Sequence, residues 1–104
     1  MRCFLAPIVL IFWTTAAHAE AQVLGQTAGA LMGMSVACGV SPSENWTRSI
    51  VSLMKSKSTS DADFQSAMAV FEDYGNRAML TQSTDPSMTC EQVIAMMRQS
   101  EAAF

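Results

Sequence analysis

The sequence predicts an all-α domain, a small bundle of about four helices tied by one disulfide between Cys38 and Cys90. Three observations carry that expectation. Apolar residues recur at spacings of three and four in successive segments, and no stretch of four or more residues alternates strictly as a half-buried strand would. Helix start and stop signals separate those segments. Once an N-terminal leader is set aside, Cys38 and Cys90 are the two cysteines left.

The leader is read from Arg2, an apolar run from Phe4 to Trp13, and Ala17-His18-Ala19 before Glu20. A positive start, about ten apolar residues and a small-x-small ending are the parts of a secretory signal peptide, and ten residues are too few to cross a bilayer as a helix. Residues 1–19 are therefore expected to be removed, leaving a single helical domain at 20–104 that is periplasmic or secreted. The cut takes away His18, the one histidine, and Cys3, so the remaining cysteines meet in an oxidising compartment. A bridge closing 52 residues restricts the unfolded chain by roughly 4 kcal/mol in the loop-entropy model, a large share for a short domain.

The first helix of that domain is expected from about Gln22 to Cys38, with Leu24, Ala28, Leu31 and Ser35 on one face and Gly39 supplying the left-handed turn after it. Gly25, Gly29 and Gly33 fall at four-residue spacing, a row of missing side chains that admits another backbone. Packing against a neighbouring helix of the same domain is the plainer use of that row; a self-association face or a membrane-active segment is the alternative.

Ser41-Pro42-Ser43-Glu44 reads as a helix start with Ser41 as cap, proline in the first position and glutamate three residues after the cap. Trp46, Ile50, Leu53 and Met54, with Val51 beside them, form the apolar stripe, and the polar run 55–60 ends it. Ser60 or Asp61 caps the third helix, whose Phe64, Ala67, Met68, Phe71, Tyr74, Ala78 and Met79 suggest one buried face, with Gly75 inside the stripe. Asp85-Pro86 marks a turn, and Thr89-Cys90-Glu91-Gln92 fits the capping box that opens a fourth helix through Val93, Ile94 and Met97. Cys38 and Cys90 would then join the end of the first helix to the start of the last.

Composition narrows the function. Without Arg2 the chain has five basic residues against nine acidic ones, a net charge of −4 with no basic cluster, which disfavours nucleic acid and anionic membranes as partners. Ser52-Leu53-Met54-Lys55 has the serine-x-x-lysine spacing of penicillin-recognising enzymes, but the other motifs and the length of those enzymes are missing. Asp61 with Asp63 and Glu72 with Asp73 are spaced so that each pair points to different sides of a helix. Asn45-Trp46-Thr47 matches a glycosylation sequon at the start of a helix. Eight methionines follow the leader, including Met32, Met34, Met96 and Met97; thioethers suit copper(I), although core packing is their commoner use. No cofactor, no metal site and no catalytic residue is assigned. Trp46 with Gly25, Gly29 and Gly33 is the candidate contact surface.

Leu24, Gly25, Cys38, Trp46, Phe71, Gly75 and Cys90 together resemble the pattern of an uncharacterised group of small exported helical proteins of rhizobia and their relatives. That group has a Leu-Gly early in its first helix, a cysteine at its end, a tryptophan soon after, a phenylalanine and glycine in the third helix, and a late cysteine. Thr89-Cys90-Glu91 resembles the helix start typical of acid-stress periplasmic chaperones, which carry it at their first cysteine, whereas it falls here at the second. Both resemblances imply a small, exported, single-disulfide helical protein; that it is not an enzyme is expected from the loss of His18 with the leader.

Two functions follow as expectations. One is a helical interaction or adaptor protein for an unidentified protein of the cell envelope. The other is an acid-activated chaperone, in which nine carboxylates lose their charge at low pH and the fold loosens. Soft-metal binding is a third.

Overall fold

A computed structural model describes the backbone of residues 2–104 and the side chains from Glu20 onward; the expected leader, 1–19, lies outside the residues whose side chains are described. Four helices are present among the described residues: α1 (Arg2–Ala37), α2 (Glu44–Lys57), α3 (Asp61–Thr84) and α4 (Cys90–Ala102). No described residue is in a strand. Helix α1 is continuous through the expected start at Gln22, since Ala19-Glu20-Ala21 offers good helix formers and no stop signal.

The end of α1 follows from Gly39. Its φ of +81° is the one positive φ among the described residues. That turn lets Val40 N–H donate to the Ser35 carbonyl at 2.9 Å and Gly39 N–H to the Val36 carbonyl at 3.0 Å, the Schellman pair that satisfies the last carbonyls of a helix. Cys38 is thereby fixed at the top of α1, 5.5 Å (Cα to Cα) from Cys90 in the first turn of α4, and the two are joined as a disulfide.

The cap of α2 is Ser43, not Ser41 as the sequence suggested. The Ser43 hydroxyl accepts from Trp46 N–H at 3.1 Å, while Ser43's own N–H donates to Glu101 Oε2 at 3.1 Å. In the box expected at Ser41, Glu44 would have accepted from the Ser41 N–H. With Ser43 as cap, a carboxylate from α4 accepts the cap N–H, and Glu44 pairs with Arg48 at 2.7 Å on the surface. The other two caps agree with expectation. Ser60 Oγ accepts from Asp63 N–H at 3.1 Å, and Asp63 reaches back to Thr59 N–H at 2.9 Å. Thr89 and Gln92 complete a capping box at α4.

The two longest helices form the spine. A methyl group built on Gly25 would lie 2.7 Å from the Ala67 carbonyl oxygen; on Gly29 it would meet the Phe71 carbonyl, and on Gly33 the Gly75 carbonyl. Residue numbers rise together on both helices, so α1 and α3 run parallel with their backbones in contact. Helix α2 descends beside the lower part of α1, where Lys57 pairs with Glu20 at 2.8 Å. Helix α4 descends from the disulfide beside the upper part, and its last turn meets the start of α2.

The core lies where α2 and α4 cover α1. Ala21, Ala28 and Leu31 of α1 pack with Trp46, Ile50 and Met54 of α2, Ala67 of α3 and Met97 of α4. Val93 is also fully buried. The α3 stripe is less buried than its spacing suggested. Ala67 alone of its apolar positions is buried; Phe64, Met68, Phe71, Tyr74 and Ala78 are half-buried and Met79 is 37% exposed. The cause is topological: α4 packs on α1 and α2 and lies apart from the body of α3, so among the described residues α1 alone covers the upper half of α3.

Candidate functional site

The candidate contact residues lie inside the domain. Trp46 is 1% exposed, and its indole Nε1 donates to Ser100 Oγ at 2.8 Å. Gly25, Gly29 and Gly33 are buried under α3. Both follow the plainer expectation: the glycine row packs against a neighbouring helix of the same domain, α3, and Trp46 is part of the core. A four-residue glycine row could signal close backbone approach from sequence, but not which helix would approach.

The surface that the architecture leaves open is elsewhere. Between α1 and α3, on the stretch that α4 does not cover, runs a groove of about 490 Å³. Its apolar wall is Met32 and Val36 from α1 and Met68, Phe71 and Met79 from α3. Gly33 and Gly75, where the two backbones meet, also line it. Gln65, Glu72 and Asn76 stand on the α3 rim, and Glu72 is the one charged side chain among the lining residues. Helical spacing explains the set: 65, 68, 72, 76 and 79 lie on one side of α3, and 32 and 36 on one side of α1. Met68 and Phe71 pack against the core from one side and line the groove on the other, and Met79 is exposed; periodicity identifies their apolar face and does not say what covers it.

Three thioethers line this groove, which bears on soft-metal chemistry. Met68 and Met79 are eleven residues apart on one helix, about 16 Å along its axis, too far to share an ion. Met54 and Met97 are fully buried in the core. Among the described residues no group of three or more His, Cys, Asp or Glu side chains converges.

The remaining motifs have structural uses or stand in solvent. Asp63 is buried as a cap ligand, Asp73 pairs with Arg77 at 3.1 Å, and Ser52, Lys55 and Asn45 are exposed. A smaller recess of about 240 Å³ on the opposite side of the α1–α3 pair contains Tyr74 with Arg77 stacked 5.7 Å from its ring centroid. Among the described residues no helix is long and apolar enough to cross a membrane.

What fold and groove together define is a class: an all-α, single-disulfide domain with an open apolar channel between two parallel helices. Comparison with protein-family models, with curated proteins and with solved structures gave no match to this chain.

Proposed function

We propose that this chain is an exported, non-enzymatic helical interaction protein whose α1–α3 groove receives the apolar face of a helix from a protein of the cell envelope. The observation that carries the reading is the open apolar wall formed by Val36 and Met79, both exposed, with the half-buried Met32, Met68 and Phe71 behind them. An apolar channel left between helices is the form in which amphipathic helices are bound, and methionine adapts its shape to the occupant. From Gln65 to Met79 the wall is about 21 Å long, room for roughly four turns. Glu72 on a rim without cations favours a basic residue beside the apolar face of that helix. Export is supported by the leader-like residues 1–19 and by the disulfide.

A photo-crosslinking residue placed at Asn76, on the groove rim, should trap one discrete envelope protein in living cells. The same residue at Arg48, exposed on α2, should not. Adding Met68→Asp should abolish the Asn76 adduct. Equal labelling from both positions, or an adduct that survives Met68→Asp, would remove the groove from the function.

A further inference from the structure

We propose that the Cys38–Cys90 bridge is a redox latch for α4: its reduction by a dithiol releases α4 and leaves the α1–α2–α3 body folded. The connectivity of the contacts carries this inference. Helix α4 packs on α1 and α2, with Val93 and Met97 buried and with the Trp46–Ser100 and Ser43–Glu101 hydrogen bonds; α3 reaches it at its first residue, where Gln82 Nε2 lies 3.9 Å from Cys90 Sγ. The seam of Gly25, Gly29 and Gly33 against Ala67, Phe71 and Gly75 contains neither cysteine and no residue of α4. Separate contacts therefore hold the spine and the last helix. Helix α4 is 13 residues long, at the margin of what stays helical alone in water, so once undocked it unravels.

The bridge is also within reach. Cys90 is exposed and Cys38 half-buried, so an external thiolate can approach. Attack on Cys38 Sγ breaks the S–S bond and expels Cys90 as the leaving thiolate. Cys90 is the better leaving group because it opens α4, where unpaired N–H groups stabilise negative charge, whereas Cys38 ends α1. Gln82 Nε2, 3.9 Å from Cys90 Sγ, adds a donor. The second thiol of the reductant then attacks the mixed disulfide and expels the Cys38 thiolate. The reductant leaves as its own disulfide; two electrons pass to the protein, and the two protons lost by the dithiol return as the cysteine thiols form. Release of α4 uncovers Trp46 and strips its indole of Ser100. The α1–α3 groove has no lining residue from α4 and persists, so this inference stands or falls separately from the docking proposal.

Hydrogen exchange read by mass spectrometry on the full chain tests the latch, comparing the oxidised protein with protein reduced by dithiothreitol. After reduction, amides 91–101 should exchange within about tenfold of the rate of an unfolded peptide, while amides 25–33 and 67–75 stay protected at least about a hundredfold. The Cys38→Ser, Cys90→Ser double variant should give the same pattern without reductant. Loss of protection in the seam together with α4 would overturn the proposal, because the bridge would then hold the whole domain; so would an α4 that stays protected, or a double variant that fails to fold.

Discussion

Trp46 and Ser100 are 54 residues apart in sequence, yet the indole N–H of one donates to the hydroxyl of the other at 2.8 Å, joining the first turn of α2 to the last turns of α4. With Trp46 almost wholly buried, its N–H has no ready access to water. Ser100→Ala should therefore destabilise the domain by about 1–3 kcal/mol, the cost of leaving a buried donor unpaired. Urea unfolding of the oxidised protein measures it. A change under about 0.3 kcal/mol would mean the bond contributes nothing.

The glycine seam sets an order among substitutions. Gly29→Ala and Gly33→Ala would drive a methyl group into the Phe71 and Gly75 carbonyls, whereas Gly75→Ala would find its nearest contact, the Gly29 carbonyl oxygen, at 3.3 Å. The first two should cost about 1–3 kcal/mol or more through forced separation of α1 and α3. Gly75→Ala should cost less, since the gain in helix propensity of about 1 kcal/mol offsets a small adjustment. Thermal unfolding of the three variants gives the order directly; equal midpoints would contradict the close packing.

One buried group works against the fold. Ser35 is fully buried in α1, and among the described residues its hydroxyl has no hydrogen-bond partner. Ser35→Ala removes that unpaired oxygen and adds a better helix former, so stability should rise by about 1 kcal/mol. A loss of stability on chemical denaturation would show that the hydroxyl has a role in holding α1.

Capping should distinguish Ser43 from Ser41. Ser43→Ala removes the acceptor for Trp46 N–H and should cost about 1 kcal/mol; Ser41→Ala, which lies outside the cap, should be near neutral. Thr89→Ala should cost about 1 kcal/mol as well, through loss of the capping box at α4. Differential scanning calorimetry of the three variants decides, and a larger effect at Ser41 than at Ser43 would restore the earlier start of α2.

Much of the secondary structure was legible because its signals are local. Gly39 after Cys38, Ser60 before α3 and Thr89 with Gln92 each act over six residues or fewer, so their chemistry is visible in the order of the chain. The start of α2 was misplaced for the opposite reason. Ser43 is a cap with Trp46 at the third helical position, where no local side chain can accept the Ser43 N–H; Glu101, 58 residues away, accepts it instead, and that partner cannot be read from the neighbouring sequence. Burial of the α3 stripe was overestimated likewise, since spacing reveals a face and not its cover.

By itself, then, the sequence determined the helical class, the end of α1, the starts of α3 and α4 and the pairing of Cys38 with Cys90, which follow from short-range hydrogen bonding, apolar periodicity and the setting aside of Cys3 with the leader. Only the tertiary structure decided that the glycine row of α1 receives α3 in parallel, that Trp46 is sealed by α4, and that α4 turns from α3 to leave the methionine-lined groove open. Those outcomes depend on which faces meet, and packing between distant segments is fixed by the shape of the whole domain rather than by any local stretch of chain.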